Sequence, residues 1–350
     1  MKEHLDLLMH LIATPSISRQ ESATADILFQ HLIKSGLSPH RMGNNIALPT
    51  KERNSKPNLL LCSHHDTVRP SERYLRNPFT PIIEGHRFYG LGSNDAGGAL
   101  VCLVEVFKRL HNKDLPYNLF LALCAEEEVS GSGGLPLVLS QLPHIDIAII
   151  GEPTSMNAAI GERGLMVLDG EATGVSGHAA RQEGVNAIYR AMEDINTLRN
   201  FSFEKESPIM GKVHLQITQI EAGTQHNVIP DRCRFTIDVR STDVYANSEI
   251  HQLLQNNVQS TLTPRTLHHS ASATPPDSIL MHAIRSANIP TYISPTTSDW
   301  MHLRCPTVKM GPGESSRSHT PDEYILLSEI EAGISGYLEL LESIFSSAIR

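Results

Sequence analysis

The 350-residue sequence lacks any long uncharged apolar run. No window approaches the roughly 18 apolar residues that a membrane-spanning helix needs. Its start, MKEHLDLLMHLIATPS, carries Lys2, Glu3 and Asp6 within the apolar stretch, unlike the apolar core of a secretory signal. These absences argue against a membrane or secreted protein, so we expect a cytoplasmic protein without a membrane partner.

The sequence also lacks any concentration of positive charge. It contains 29 Lys and Arg against 38 Asp and Glu, for a formal net charge of −9, and its basic residues are scattered along the chain. Proteins that bind nucleic acids concentrate Lys and Arg in a patch or stripe. We therefore expect no nucleic-acid partner, and the charge pattern favours a small molecule or a protein.

Cysteine is scarce, with 5 residues in the whole chain. The number is odd, the spacing is not that of a metal knot, and Cys62 and Cys124 stand in apolar segments. Such cysteines are typical of inert thiols in a reduced core, so a disulfide framework is not expected.

Two motifs that mark other enzyme classes are also missing. The segment GLGSNDAGG does not have the G-x-G-x-x-G spacing of a dinucleotide site, and no ribose-binding acid follows about 20 residues on. No G-x-S-x-G segment, the signature of a serine hydrolase elbow, occurs either. The sequence therefore predicts neither an NAD-dependent oxidoreductase nor a serine hydrolase.

What the sequence does contain is an alternation of short apolar runs with helical periodicity. The runs NLLLCSH, NLFLALCAEE and IDIAIIGEP have the composition of strands buried on both faces. We predict helices at 3–12, 20–35, 95–110, 133–141, 278–287 and 328–345, and further strands at PTYIS and PTVKMG. This alternation predicts an α/β fold with a doubly wound, mostly parallel sheet that binds its ligand at the carboxyl ends of the strands.

The order of the predicted strands and helices changes in the middle of the chain. We predict strand, helix, strand, strand, helix and strand at 164–173, 184–198, 212–221, 231–240, 247–262 and 265–271. The order β-α-β-β-α-β is that of a ferredoxin-like unit. We therefore expect a catalytic domain made of residues 1–161 and 274–350, interrupted by an inserted ferredoxin-like domain at 162–273.

Histidines and carboxylates follow the predicted strands. His64 and Asp66, two apart and so on one face of a strand, end the first run, and Glu126–Glu128 end the second. Glu152 follows the third run, while a predicted helix start and a Gly-, Pro- and Ser-rich loop supply Asp95 and His319. Two imidazoles and three carboxylates suit a pair of divalent ions, with zinc the default and cobalt or manganese feasible.

Each of these groups also has a purely structural interpretation. His64 beside Asp66 could be a hydrogen-bonded core histidine, Asp95 a helix N-cap, and Glu126–Glu128 an exposed acidic loop. Their convergence on one edge of the sheet favours a metal centre over these separate explanations.

Eight segments together resemble the dinuclear zinc aminoacylase and carboxypeptidase G family, which includes deacylases of acetylornithine and of succinyl-diaminopimelate. In chain order the segments are SHHDTV, GSNDAGG, AEEEV, GEPTS, GVSGHAARQEGVNAI, HNVIPD, IDVR and GPGESSRSHTPDEY. The resemblance spans nearly the whole chain. It implies that the inserted domain is a lid and dimerisation domain and that the protein is a homodimer.

The resemblance further implies two divalent metal ions per chain, zinc or cobalt. His64 and Glu152 would bind one ion, His319 and Glu128 would bind the other, and Asp95 would bridge both. The bond after Asp95 is often cis in this family.

Five more residues receive roles from the same resemblance. Asp66 would orient His64, and Glu127, diverging from Glu128 in an extended segment, would be the general base. His178 would reach across the dimer to stabilise the oxyanion, with help from Asn227, and Arg240 would hold the substrate's α-carboxylate.

The implied activity is hydrolysis of the amide bond of an N-acyl amino acid. In its length and in the sequences of its motifs, the chain is most similar to deacetylases that release L-ornithine from N-acetyl- or N-succinyl-ornithine in arginine biosynthesis. A succinyl-diaminopimelate desuccinylase, a dipeptidase or an inactive binding homologue remain alternatives. An added cation could favour a succinyl group by pairing with its distal carboxylate, and the candidates are Arg69, Arg163, Arg181 and Arg317.

Overall fold

The computed structural model describes residues 2–49, 56–181 and 183–348, and it divides the chain into two units. Unit 1 comprises Met1–Ile160, Thr274–Tyr292 and Ser298–Arg350, and unit 2 comprises Gly161–Ala273 and Ile293–Thr297. The segment Ile293–Thr297 lies inside the range 274–350 that we assigned to the catalytic domain. It groups with unit 2 because the Arg163 N–H donates to the Ser294 carbonyl over 3.1 Å.

The helices occur close to the predicted positions. In chain order they are α1 (Glu3–Ile12), α2 (Ser22–Lys34), α3 (Gly98–Leu110), α4 (Leu135–Leu139), α5 (Ala187–Arg199), α6 (Asn247–Gln255), α7 (Ile279–Ser286) and α8 (Leu327–Ala348). None of these helices combines the length and the apolar character needed to cross a bilayer, within the residues that the structure describes.

The strands are more numerous than predicted. They are β1 (His40–Met42), β2 (Asn45–Pro49), β3 (Asn58–His64), β4 (Ile82–Glu84), β5 (Arg87–Tyr89), β6 (Asn118–Cys124), β7 (Ile147–Ile150), β8 (Ala158–Glu162), β9 (Met166–Thr173), β10 (Gly177–His178), β11 (His214–Ala222), β12 (Val228–Ile229), β13 (Arg232–Arg240), β14 (Thr261–Pro264), β15 (Ser272–Ala273), β16 (Thr291–Ser294), β17 (Thr307–Lys309) and β18 (Tyr324–Leu326).

The main sheet of unit 1 has the strand order β1-β2-β6-β3-β7-β17-β8. Its four central strands, β6, β3, β7 and β17, are parallel, and antiparallel strands flank them. Both faces are covered, because Leu59 and Leu61 of β3 join one apolar core while Leu60 and Cys62 join another. The predicted doubly wound, mostly parallel sheet is therefore confirmed.

A small sheet of order β18-β5-β4 is absent from the sequence prediction. Tyr324 of β18 pairs with Tyr89 of β5, and the Gly90 N–H donates to the Glu323 carbonyl over 3.0 Å. This pairing places the segment after β5 beside the segment before β18, and these two segments carry Asp95 and His319.

Unit 2 contains the predicted β-α-β-β-α-β order, formed by β9, α5, β11, β13, α6 and β14. Its antiparallel sheet has the order β11-β13-β9-β14 and an apolar core of its own. The predictions of a helix at 247–262 and a strand at 265–271 were wrong. The Asn257 N–H donates to the Leu254 carbonyl in a turn that ends α6, and Leu262 is then buried within a strand at Thr261–Pro264.

The cysteines agree with the prediction of inert thiols. All five are free, and four of them are buried. Burial raises the pKa of Cys102 and Cys233, which disfavours the reactive thiolate.

Candidate metal centre

The ends of three parallel strands of unit 1 bring the predicted side chains to one edge of the sheet. His64 is the last residue of β3, and Glu127–Glu128 and Glu152 follow β6 and β7. The register pairs His64 with Cys124 and Cys62 with Ile150, so the three strands end at nearly the same level. This alignment is the reason that residues far apart in the chain converge here.

His64 is buried, and its two ring nitrogens have different partners. Nδ1 lies 3.0 Å from the Asp66 carbonyl, which can only accept, so Nδ1 carries the ring proton. In a neutral ring Nε2 is then the lone-pair donor. It lies 3.3 Å from Asp95 Oδ1 and 3.6 Å from Glu152 Oε1 without a hydrogen-bond partner among the described atoms. A buried imidazole nitrogen aimed at two carboxylates fits a bound cation.

Asp66 holds the neighbouring acidic segment as well as His64. We expected it on the same strand face as His64, but β3 ends at His64, and Asp66 lies in the irregular segment beyond. Its carboxylate accepts hydrogen bonds from the backbone N–H of Glu127 (3.0 Å) and Glu128 (3.2 Å) and from Ser18 Oγ (2.7 Å). Sequence reasoning missed Ser18, which carries no signal in the pattern around it.

Asp95 lies between two imidazoles. Its Oδ1 is 3.3 Å from His64 Nε2, and its Oδ2 is 3.6 Å from His319 Nε2. The predicted helix 95–110 begins later than expected, at Gly98, because Asp95 and Ala96 have non-helical backbone angles. The peptide bond between these two residues is cis. The two oxygens of one carboxylate therefore face opposite halves of the site.

Glu127 and Glu128 stand on a 3-10 turn, Glu127–Val129, and not on the extended segment that we expected. The preceding Glu126 has a left-handed φ of 58°, which starts this turn directly after β6. With three residues per turn, successive side chains point about 120° apart. The two glutamates therefore belong to different clusters. Glu127 clusters with His64 and Glu152, and Glu128 clusters with His64 and Asp95. Within each cluster, one nitrogen or oxygen atom from every side chain lies within 4.8 Å of the others.

His319 completes the second group from a left-handed backbone position, with φ 60°. Its Nε2 lies 2.9 Å from Glu128 Oε2, and 52% of its side chain is exposed. The contact with Glu128 raises the pKa of His319 to about 9.

Mutual repulsion among the carboxylates sets the electrostatics of the site. Burial, followed by the charge of Asp95, raises the pKa of Glu152 to about 8. Burial and the charge of Glu152 raise the pKa of Glu127 well above its usual range. Divalent cations would relieve this repulsion, and two imidazoles with three carboxylates are a suitable donor set for two of them.

The other three predicted site residues lie in unit 2. His178 Nδ1 accepts a hydrogen bond from the Ala180 N–H (3.2 Å), which leaves the ring proton of a neutral imidazole on Nε2. The Asn227 carbonyl accepts from the Ala179 N–H (3.0 Å), so Asn227 is close to His178 along the pair of strands β10 and β12. The exposed His178 can therefore offer an N–H donor.

Arg240 ends β13 and is partly engaged by Asp238 of the same strand. Its Nε and Nη2 donate to the two Asp238 oxygens over 2.8 and 3.1 Å. A guanidinium has five N–H donors in a planar fork, so the remaining edge, which has no partner among the described residues, can pair with a second carboxylate.

Four arginines were candidates for pairing with the distal carboxylate of a succinyl group, and two of them already bind other groups of the protein. Arg317 forms ion pairs with Glu329 (2.7 Å) and Glu314 (3.1 Å) and lies over the ring of Tyr324. Arg163 donates to the carbonyls of Lys212 and Met210 in unit 2. Arg69 and Arg181 are exposed.

Comparison with known proteins places this chain in a family. Residues 60–343 match the model of peptidase family M20/M25/M40. An acetylornithine deacetylase of Proteus mirabilis (strain HI4320) is 27% identical over 93% of each chain.

Solved structures agree in fold. An M20 family metallo-carboxypeptidase from Sulfolobus solfataricus has a TM-score of 0.77 at 18% identity, covering 98% of this chain and 99% of the other. A dinuclear metal-binding M20 peptidase from Bacillus subtilis has a TM-score of 0.73 at 15% identity, covering 98% of both chains. The chain therefore belongs to peptidase family M20/M25/M40 and is a metal-dependent amidohydrolase.

Proposed function

We propose that this enzyme hydrolyses the amide bond of N-acetyl-L-ornithine or N-succinyl-L-ornithine and releases L-ornithine for arginine biosynthesis. The observation that carries the proposal is Asp95, which lies between His64 and His319 with a glutamate beside each imidazole. The Proteus mirabilis relative, named acetylornithine deacetylase, supports ornithine as the product. Five free cysteines suit a reducing compartment, which supports a cytoplasmic location.

His64 and Glu152 would hold one divalent ion, and His319 and Glu128 a second, with Asp95 shared between them. Imidazole and carboxylate donors suit zinc, and cobalt is compatible with the same set. When bound, two such ions lower the pKa of a water molecule and polarise the scissile carbonyl.

Glu127 is the proposed general base. It lies in the group with His64 and Glu152 without being needed in either ligand pair. Its carboxylate would take a proton from the attacking water and pass it to the leaving amine. Asp66, through the backbone N–H groups of Glu127 and Glu128, keeps this carboxylate in place.

The inserted domain would supply the groups that recognise the substrate. The His178 Nε2–H would donate to the oxyanion from the partner subunit, Asn227 would assist it, and the Arg240 guanidinium would pair with the α-carboxylate. The exposure of His178 and the unengaged edge of Arg240 support these roles.

A homodimer through unit 2 is part of the proposal. β11 is an edge strand of nine residues, and Tyr189 and Met192 of α5 expose 65% and 57% of their surface. An unpaired strand edge and exposed apolar side chains are features that a second copy could cover.

Two alternatives keep the same chemistry. A dipeptidase is compatible with the structural relatives named as peptidases, and a succinyl-diaminopimelate desuccinylase would need the same carboxylate clamp. An inactive binding homologue is disfavoured because Glu127 and all five proposed ligands are present.

The test is a substrate panel at fixed zinc concentration, comparing kcat/KM for acetylornithine, succinylornithine, succinyl-diaminopimelate and a dipeptide. We expect an acylornithine to have the highest kcat/KM. A higher value for the dipeptide would contradict the proposal and establish the peptidase alternative.

The Glu127→Gln variant tests the chemistry. It should keep both metals, as measured by elemental analysis, and lose about 100-fold or more of kcat, since it removes the proton acceptor. The matched control is Glu126→Gln, because the Glu126 carboxylate accepts from the Gly133 N–H and not from the site. Wild-type turnover in Glu127→Gln would mean that the base is elsewhere.

A further inference from the structure

Two loops of unit 1, at 92–95 and 313–323, carry Asp95 and His319, and a buried carboxylate joins them. Glu323, only 2% exposed, accepts hydrogen bonds from the backbone N–H groups of Gly92 (3.1 Å), Asn94 (2.8 Å) and Asp95 (2.9 Å). The third of these N–H groups belongs to the residue that lies between the two imidazoles. Glu323 therefore fixes the backbone of Asp95 directly.

A buried amide makes a second connection between the same loops. Asn94 Oδ1 accepts from the Glu314 N–H, and Asn94 Nδ2 donates to the Glu314 carbonyl, each over 3.0 Å. The opposite loop approaches so closely that a Cβ on Gly313, where φ is 85°, would lie 2.4 Å from Asn94 Oδ1. Glu323 and Asn94 thus form a clasp, and we use that word for these two side chains and their bonds.

Burying the Glu323 carboxylate beside Asp95 is unfavourable by itself. Burial and the nearby charge of Asp95 raise the pKa of Glu323 to about 8. A buried carboxylate beside another carboxylate is stabilised only if hydrogen bonds satisfy it, and three backbone donors do so here. An apolar side chain would avoid this cost but could not hold three N–H groups at one point.

The two proposed metal sites depend on these loops to different degrees. His64 and Glu152 follow directly from strands of the main sheet, so the first site has one loop ligand, Asp95. The second site takes His319 and Asp95 from the two clasped loops, and Glu128 from a 3-10 turn. Loosening the clasp changes the separation of two of its three ligands.

We propose that Glu323 is a positioning residue that sets the affinity of the second metal site, with Asn94 as its partner. The inference rests on the proposed function, because it takes the two ligand pairs given there. The carboxylate of Glu323 acts through the backbone of Asp95 and holds it at the distance from His319 that one ion can span.

The experiment titrates metal-free protein with Mn²⁺ alone and measures binding by calorimetry and by electron paramagnetic resonance. Wild type should bind two ions and show a spin-coupled pair at two equivalents. In Glu323→Gln the amide cannot accept three N–H donors as the carboxylate does, so the second ion should bind about 10- to 100-fold more weakly. The first ion should bind as in wild type, and the spectrum at two equivalents should be dominated by uncoupled Mn²⁺.

Asn94→Ala provides a second variant in case Glu323→Gln does not fold. It keeps the three bonds to Glu323. It removes the two bonds to Glu314 and the 3.4 Å bond from Nδ2 to Ser318 Oγ of the same loop, so we expect the same selective loss at about 10-fold.

Asp194→Asn is the matched control. Asp194 is a buried carboxylate of unit 2 that accepts from the N–H groups of Gln259 (3.1 Å) and Ser260 (2.7 Å). The Asp194→Asn variant should have a lower free energy of unfolding than wild type and unchanged affinities for both Mn²⁺ ions. Unchanged affinities in both clasp variants, or equal weakening of both ions, would overturn the inference. A wild-type protein that binds no pair of ions would instead overturn the proposed function.

Discussion

At the scale of the residue, the adjacent imidazoles of His64 and His65 have opposite surroundings although both are buried. His64 turns Nε2 to the carboxylates of the site. His65 Nε2 donates to the Asn44 carbonyl, and its Nδ1 accepts from Thr24 Oγ1, each over 2.9 Å. Burial lowers the pKa of His65 to about 4, so this ring is neutral in the folded protein at neutral pH.

The neutral His65 should make the protein sensitive to acid. Between pH of about 6.5 and 4 the unfolded chain binds a proton here that the folded chain does not, so stability falls as pH falls through this window. We expect about 2 kcal/mol to be lost between pH 7 and 4.5, measured by urea unfolding of metal-free protein. His65→Gln, which cannot titrate, should lose about 2 kcal/mol less over the same interval, and an identical pH dependence would contradict the assignment.

At the scale of the element, local sequence patterns predicted the strands that end at the site. They did not predict the short strands and the long-range hydrogen bond that hold the Asp95 and His319 segments together. β3, β6 and β7 are continuous apolar runs, which a sequence displays directly. β5 and β18 are three residues long and have no detectable period. The bond between Glu323 and the Asp95 N–H joins residues 228 positions apart, and no local pattern encodes it.

Local backbone conformation was the second limit of the sequence prediction. The turn that separates Glu127 from Glu128 begins with a left-handed Glu126, a conformation that non-glycine residues adopt only rarely. Residue type and spacing still predicted that these carboxylates lie close together, because strand order alone brings them to one edge.

Helix α5 is expected to be part of the dimer contact. Tyr189 and Met192 are three residues apart on one face and largely exposed. Replacing both with glutamate should convert a dimer to a monomer, since burying two added charges opposes association. Light scattering coupled to size exclusion measures the mass.

The control for this prediction is Leu75→Glu, because Leu75 is 90% exposed but lies in unit 1. It should remain dimeric. A monomeric wild type, or a double variant that stays dimeric, would contradict a dimer through this surface.

At the scale of the whole molecule, the chain leaves and re-enters unit 1 at neighbouring positions. The Thr274 N–H donates to the Ile160 carbonyl over 2.9 Å. A short Asn-Gly turn could therefore replace residues 161–273 and join these two positions. We expect the shortened protein to bind two metal ions, because every proposed ligand is in unit 1, and to lose turnover because His178 and Arg240 are removed.

Calorimetric titration and the ornithine assay measure the two properties separately. Full turnover in the shortened protein would show that the inserted domain is not needed for the reaction. Loss of metal binding in a protein that still unfolds cooperatively would show that the ligands depend on the insert.

The hydrogen bond between Ile160 and Thr274, at the two ends of the 161–273 insert, also bears on how such enzymes diversify. A gene could exchange the whole stretch between these two codons by recombination and keep its reading frame, the proposed metal ligands and Glu127 intact. Selectivity for one acylated amine over another could then be inherited with the exchanged segment, while the metal ligands and the proposed base pass unchanged from one descendant to the next.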